Sequence, residues 1–312
     1  MKIKNVTVAG GGVLGSQIAF QSAYSGFNVK IWSLDEKSKE DSINKLNELK
    51  ESYIKQIEIM DKDKSLNNWA MGISDYDSFN KKECIDKVSK VLDNIKIIID
   101  KKEAFGDADL VVEAIIENLK IKRDFYSDLS KYLGKDTIIV SNSSTIIPSK
   151  MAKYTGRPDK FLSLHFANHI WKNNTAEVMK HSTTSDEAFN LVMKYAKDIR
   201  MFPLPLYKEK SGYLLNSMLI PFLFAGLDLC VNGISDPKSI DTAWKKGTGA
   251  PNGPFEILDI VGLETAYNIV LMYVKVPSFL APYNFKGMEK LLKKYIDEGK
   301  LGVSTKEGFY KY

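Results

Sequence analysis

Three strand ends in this chain carry polar residues that could converge on one reaction. His165 follows the apolar run Phe161–Leu164, Ser141-Asn142-Ser143-Ser144 begins where Ile138–Val140 ends, and Glu113, Glu117 and Asn118 follow Leu110–Val112. In an open parallel sheet, ligands bind outside the carboxyl ends of the strands, so the three ends read as one constellation. A lone histidine after a strand is often only a satisfied structural residue. Glu177 argues for more. Thr175–Lys180 alternates like a strand, with Thr175, Glu177 and Met179 on one face. A loop of about ten residues is long enough to fold that strand back beside the first. A carboxylate accepting from one imidazole nitrogen fixes the tautomer and favours the protonated ring, leaving the other nitrogen to exchange a proton with a substrate. The competing reading leaves Glu177 on the surface of an edge strand. Asn216 sits in the apolar run Tyr213–Leu219, where an amide must either be bonded within the protein or aimed at a ligand between domains.

The second chemical signal is Gly10-Gly11-Gly12-Val13-Leu14-Gly15, which satisfies GxGxxG directly after a strand pattern and opens what reads as an amphipathic helix. Gly10 permits the tight turn, Gly12 lets backbone approach a pyrophosphate, and Gly15 lets helix and strand pack closely. The diphosphate would rest on the helix N-terminus, with Val13 and Leu14 in its first turn. About 20 residues further on, a carboxylate usually grips the ribose hydroxyls; that count lands near Asp35, whereas the strand itself ends at Trp32-Ser33. A carboxylate there repels a 2′-phosphate. A serine near Lys37 does not, so NAD is expected and NADP is not excluded.

These groups must be positioned by strands and helices in alternation. Apolar runs at Val6–Ala9, Val29–Trp32, Leu110–Val112, Ile138–Val140 and Phe161–Leu164 suit a parallel sheet buried on both faces, with helices at Leu14–Tyr24, Asp35–Ile59 and Lys120–Leu133 between them. From about Lys208 onward helices alone are expected, several with proline at the first turn (Pro237, Pro254), and Pro221 should kink the one that contains it. The expected fold is α/β, a Rossmann-type doubly wound, mostly parallel sheet followed by an all-helical C-terminal domain. The boundary is placed near residue 200: a dinucleotide-binding domain over 1–200 with a helical arm at about 35–95, then a substrate and dimerisation domain over 201–312. Asp61–Asp77 is expected to be a surface loop or the tip of a helical hairpin.

Composition narrows the class. An apolar share of 44%, a charged share of 27% and a net charge of +5 spread through mixed runs describe a globular protein with no nucleic-acid footprint. Cys84 and Cys230 form no CxxC pair and read as reduced thiols, and no metal-ligand pattern is present. The N-terminus runs straight into a strand pattern, so no signal peptide is expected. Tyr213–Leu229, the most apolar stretch, is shorter than the ~20 residues a membrane span needs. A cytoplasmic protein without a membrane partner is expected.

Taken together, the motifs resemble the short-chain L-3-hydroxyacyl-CoA dehydrogenase family over nearly the whole chain. The likeness is carried by GGGVLGSQIA at 10–19, DADLVVEAIIENLKIK at 107–122, SNSST at 141–145, RPDKFLSLHF at 157–166, AEV at 176–178, SGYLLN at 211–216, TGAPNGPFEILDIVGLET at 248–265 and EGFYKY at 307–312. The resemblance implies oxidation of an (S)-3-hydroxyacyl-CoA to the 3-oxo thioester, with hydride passing to a nicotinamide, and the reverse. It implies His165 as base and acid, Glu177 as its orienting partner, Ser144 on the reacting oxygen and Asn216 assisting from the second domain. Glu117, Lys122, Asn142 and Asn168 match cofactor or site contacts, Lys50 and Lys55 could meet coenzyme A phosphates, and the helical domains pair into dimers.

The chain also departs from that family. Ser33 stands where an acidic residue is usual, and Ser304 replaces a lysine that reaches the cofactor. HFFNP becomes His165-Phe166-Ala167-Asn168-His169 with a polar continuation to Asn174, and the helical arm is longer than usual. The leading expectation is a dehydrogenase of short 3-hydroxyacyl-CoA such as 3-hydroxybutyryl-CoA. Dehydrogenation of a free polar 3-hydroxy acid, of sugar-acid or carnitine type, is the alternative that the polar loop motivates. A dinucleotide-binding protein without turnover would have no need of Ser144, His165, Glu177 and Asn216 together.

Overall fold

Short runs of branched and aromatic residues, broken by glycines and helix caps, fold into one sheet. In the computed structural model, which describes residues 2–277 and 279–312, the strands are β1 (Asn5–Ala9), β2 (Asn28–Trp32), β3 (Ile95–Ile98), β4 (Leu110–Glu113), β5 (Ile138–Ser141), β6 (Phe161–Phe166), β7 (Thr175–Met179) and β8 (Phe202–Leu206). Their order is β3-β2-β1-β4-β5-β6-β7-β8, and every neighbouring pair is parallel except β6 with β7. The order reverses between β1 and β4, which opens a crevice beyond their carboxyl ends.

The central strands are buried on both faces. Leu110 and Val112 of β4 pack into one apolar cluster, and Val111 between them packs into another. The first cluster takes side chains from α1 (Val13–Tyr24), α2 (Glu36–Lys62), α3 (Lys81–Val91) and α6 (Asp186–Asp198). The second takes them from α4 (Lys101–Phe105) and α5 (Leu119–Leu129). The architecture is therefore the doubly wound one expected. α1 is not amphipathic, however: every residue from Gly15 to Tyr24 is buried, because α2 and α3 cover the side that the sheet leaves open.

Two strands escape the sequence pattern. β3 carries Lys96 within a short strand and gives no clear periodic signal. β8 contains Pro203 and Pro205, yet it lies at the sheet edge, where prolines at alternate positions turn their missing N–H groups away from β7. Because β8 belongs to the sheet, the first compact unit runs past the boundary expected near residue 200, through Leu214. The Asp61–Asp77 link is the tip of a helical hairpin, one of the two forms expected, since it joins α2 to α3, which pack on each other; it is also tied inward. Trp69, Ala70 and Ile73 are buried, Gln21 Nε2 donates to Gly72 O at 2.8 Å, and Trp69 Nε1 donates to Ser74 O at 3.0 Å.

The second unit, Leu215–Tyr312, is helical: α7 (Leu215–Val231), which runs through Pro221, α8 (Pro237–Thr248), α9 (Pro254–Val261), α10 (Leu263–Leu271) and α11 (Phe285–Asp297). Its core centres on Leu223, Phe224, Leu227, Phe255, Leu258, Met288 and Leu292. Buried Asp241 accepts from Phe255 N and Glu256 N, which tethers the start of α9 to α8. No helix of the described residues is long and apolar enough to cross a membrane.

Candidate active site

The glycine loop between β1 and α1 is shaped by what its neighbours forbid. Gly10 has φ +101, and a Cβ there would stand 2.8 Å from the Ala114 carbonyl oxygen after β4. At Gly15 a Cβ would overlap the Gly10 carbonyl, so glycine lets helix and loop close together. Gly12 is the reverse: nothing lies within 4 Å of where its Cβ would be, and no side chain caps the α1 N-terminus. Uncapped N–H groups facing open space at a helix start are an anion site.

Two clefts flank this loop. One, of about 650 Å³, is lined by Gly10–Gly12, Trp32, Ser33, Asp41, Lys45 and Lys101 among others. The other, of about 220 Å³, is lined by Gly12–Gly15, Glu117, Lys122, Asn142 and Ser144. Together they trace an extended path with the glycine loop at its middle, the shape an adenosine, a pyrophosphate and a nicotinamide require in sequence.

At the first end Ser33 follows β2 directly. It is buried, and its hydroxyl has no hydrogen-bond partner among the described residues. Ser33 lines the cleft, and its buried, unpartnered hydroxyl is an unused hydrogen-bonding group beside it. Asp35 is used otherwise: it is exposed, lines neither cleft, and caps α2 by accepting from Ser38 N at 2.7 Å. The ribose carboxylate counted to Asp35 is thus a helix cap, because the strand ends before the count is complete. No carboxylate replaces it at Ser33.

At the second end lies a buried charge network. Lys122 and Glu113 are both fully buried and paired at 2.5 Å. Glu113 also accepts from Ile115 N, Tyr126 Oη and Ser141 Oγ, so each of its oxygens is used. Glu117 lies 3.3 Å from Lys122 Nζ and accepts from Ser143 Oγ, Thr145 N and Thr145 Oγ1. Burial pushes the Glu117 carboxyl up, but the Ser143 and Thr145 hydrogen bonds and the Lys122 charge outweigh it and hold it below the usual range. This charge therefore pins the Ser143–Thr145 turn on which Ser144 is mounted. Asn142 Oδ1 accepts from Phe166 N at 3.1 Å, which ties the end of β5 to the end of β6.

β6 and β7 set the proton-transfer pair. Their antiparallel register places His165 opposite Glu177, and the Nδ1–Oε2 distance is 2.9 Å with both residues buried. Nε2 of the same ring lies 3.1 Å from Ser144 Oγ. The carboxylate's other oxygen accepts from Leu214 N at 2.8 Å. Ser144, His165 and Glu177 thus meet in one line, a hydroxyl, an imidazole and a carboxylate, next to the cleft that Ser144 lines. Such a line can pass a proton between a substrate oxygen and Nε2 while the carboxylate balances the ring charge.

Other expected site residues lie apart from this line. Asn168 is exposed, lines neither cleft, and accepts from Asn173 Nδ2 through its carbonyl. The loop that holds it exposes its polar residues and is anchored by its apolar ones: Ile170 and Trp171 are buried, and Trp171 packs on Tyr53 of α2 at 5.0 Å between ring centroids. Lys50 and Lys55 lie on α2, half-buried and exposed, and neither joins an ion pair among the described residues. Asn216 is half-buried in the first turn of α7, in the second unit. Sequence reasoning missed Leu214 and Tyr213, whose ring stacks on His165. It noted Glu113 without seeing its network. Their roles arise from contacts distant along the chain and leave no local pattern.

Residues 5–210 match the family model of the 3-hydroxyacyl-CoA dehydrogenase NAD binding domain, and residues 212–312 match that of the 3-hydroxyacyl-CoA dehydrogenase C-terminal domain. The chain is 34% identical to the mitochondrial hydroxyacyl-coenzyme A dehydrogenase of Homo sapiens, over 99% of this chain and 91% of that protein. It is 28% identical to the probable 3-hydroxybutyryl-CoA dehydrogenase of Bacillus subtilis, over 100% and 98%. Among solved structures, one described as substrate-directed dual catalysis of dicarbonyl compounds by diketoreductase is 44% identical, covers 100% of both chains and superposes with a TM-score of 0.84.

Proposed function

The chain belongs to the 3-hydroxyacyl-CoA dehydrogenase family of NAD-dependent oxidoreductases, and from that premise we propose that it interconverts (S)-3-hydroxybutyryl-CoA and acetoacetyl-CoA. The observation that carries this reading is the Ser144–His165–Glu177 line, at 3.1 and 2.9 Å, beside a cleft that continues past the glycine loop.

NAD, when bound, supplies the hydride acceptor. The protein's own part is to hold and move one proton. In oxidation His165 Nε2 takes the proton of the 3-hydroxyl, and in reduction it returns it. The Glu177 carboxylate holds Nδ1 protonated, so that Nε2 is the free base, and then stabilises the imidazolium. Ser144 Oγ, now bonded to Nε2, turns to donate to the substrate oxygen, where negative charge develops as its proton leaves. Asn216 is the proposed contribution of the second unit. That unit also leaves Met218, Ile234, Trp244 and Met272 exposed, which supports a homodimer through its helices.

The experiment is NADH oxidation by purified protein with acetoacetyl-CoA. Rapid turnover supports the reading, with His165→Ala expected to lose at least ~100-fold. A second reading has its own support: the 44% identical structure is described as a diketoreductase acting on dicarbonyl compounds, and we propose as the alternative a 1,3-dicarbonyl substrate without coenzyme A. Equal turnover of ethyl acetoacetate and acetoacetyl-CoA would move the assignment to that reading. Both share one reacting unit, a ketone two carbons from a second carbonyl.

A further inference from the structure

Tyr213 enters the site in an uncommon backbone state. It has φ +53 directly after Gly212 at φ +81, whereas side chains other than glycine rarely occupy the left-handed region. Strain of this kind persists where the surroundings require a particular placement. Here the placement does three things at once. The Tyr213 ring lies flat on the His165 imidazole, 4.4 Å between centroids and 14° between planes. Its hydroxyl donates to the Ser143 carbonyl at 2.7 Å, one residue from Ser144. The next residue, Leu214, donates its N–H to Glu177. Burial pushes the phenol upward in pKa, so the hydroxyl stays protonated and remains a donor. A side chain wanted only for core volume would need neither the flat stack nor this hydroxyl, and its apolar neighbours Met179 and Leu206 require neither.

We propose that Tyr213 is a positioning residue that clamps the acid–base group from its face: the ring holds the imidazole plane while the hydroxyl holds the Ser143–Ser144 turn at a fixed distance from it. Glu177 and Ser144 restrain the imidazole at its two nitrogen edges, within the ring plane; the parallel ring at 4.4 Å restrains it from its face. The electron-rich ring face also favours the imidazolium that forms during turnover. The proposal rests on the reading of His165 as the proton carrier.

The test compares the unaltered enzyme with Tyr213→Phe, which keeps the stack and loses the hydroxyl, and Tyr213→Leu, which loses both. NADH binding followed by fluorescence reports whether each variant is folded around its cleft. The Cε1–H resonance of His165, assigned by its disappearance in His165→Gln, reads the ring current of a stacked phenol without any substrate. The expected result is a shifted resonance in Tyr213→Leu and a retained one in Tyr213→Phe. With it, kcat should fall on the order of 10–100-fold in Tyr213→Leu, the usual consequence of misplacing a reacting group by about 1 Å. The KM for NADH should stay within about twofold, and Tyr213→Phe should recover most of the rate. A Tyr213→Leu enzyme that binds NADH and turns over at the original rate overturns the proposal, and so does a resonance unmoved in all variants. Tyr213→Phe as slow as Tyr213→Leu overturns the role of the stack. Failure of the unaltered enzyme to reduce acetoacetyl-CoA would instead overturn the substrate reading, and the rates would then be compared on ethyl acetoacetate.

Discussion

Glu177→Gln separates geometry from charge more sharply than removal of His165. Each carboxylate oxygen of Glu177 faces a nitrogen donor, with His165 Nδ1 on Oε2 at 2.9 Å and Leu214 N on Oε1 at 2.8 Å. Glutamine has the same shape but one acceptor and one donor end. Leu214 N–H cannot change its role, so the amide oxygen must face it, and the amide NH2 then faces Nδ1. The imidazole answers by moving its proton to Nε2, which is the atom that must be free to accept the substrate proton. The variant therefore keeps the pair's geometry and loses both the correct tautomer and the compensating charge. With His165 and Glu177 both buried, solvent cannot supply either. The expected loss is on the order of 10²–10⁴-fold in kcat for oxidation of (S)-3-hydroxybutyryl-CoA, the range spanned by general-base and tautomer defects. NADH binding should be unchanged, since neither atom lies in the cleft around the glycine loop. Steady-state NADH formation at saturating NAD measures it. A Glu177→Gln enzyme within threefold of the original rate would refute the assignment of Nε2 as the base.

Three further outcomes follow from other parts of the molecule. With Ser33 in place of a carboxylate, the enzyme should use NADPH with kcat/KM within about tenfold of NADH, and Ser33→Asp should restore discrimination by on the order of 100-fold. An original enzyme that already rejects NADPH by more than 100-fold would place selectivity elsewhere. Lys122→Met strands a fully buried Glu113 charge and should cost about 3–5 kcal/mol, lowering Tm by roughly 6–20 °C. Adding Glu113→Gln should recover much of that loss, and a single-variant shift under about 2 °C in thermal melting would contradict the pairing. Lys50→Met with Lys55→Met should raise the KM for acetoacetyl-CoA several-fold and leave that for ethyl acetoacetate unchanged; equal effects on both would remove coenzyme A phosphates as their partners.

Much of this was legible in the sequence, because the informative residues sit at places where local pattern and chemistry coincide. A glycine loop after an apolar strand, and polar residues at strand ends, carry their meaning in a few consecutive positions. The β6–β7 pairing was also readable: period-2 alternation put Glu177 on one face, and a connection of the right length returned it to His165. The edge strand β8 was not, since two prolines argue against a strand until its place at the sheet edge is known. The anchoring of the loop after His165 was hidden for a similar reason, although its polar residues Asn168, His169, Lys172 and Asn173 are exposed. Trp171 finds its partner, Tyr53, on a helix far away in the chain, and no local window contains both.

The contrast between Asp35 and Ser33 makes the physical point most directly. Counting residues from the glycine loop treats the chain as a ruler and selects the first acidic side chain near the right distance. The fold selects by direction instead. β2 ends at Trp32, so the next side chain to face the crevice is Ser33, and two residues later the chain has already turned to begin α2. An aspartate at that turn has a stronger local use, since capping Ser38 N satisfies one of the open donors of a 27-residue helix. The same residue type serves the helix start or the ribose according to the last hydrogen bond of a strand. That is why the register that brings Glu177 opposite His165 could be anticipated from alternation, while the sequence left Asp35 and Ser33 as alternatives that only the end of β2 separates.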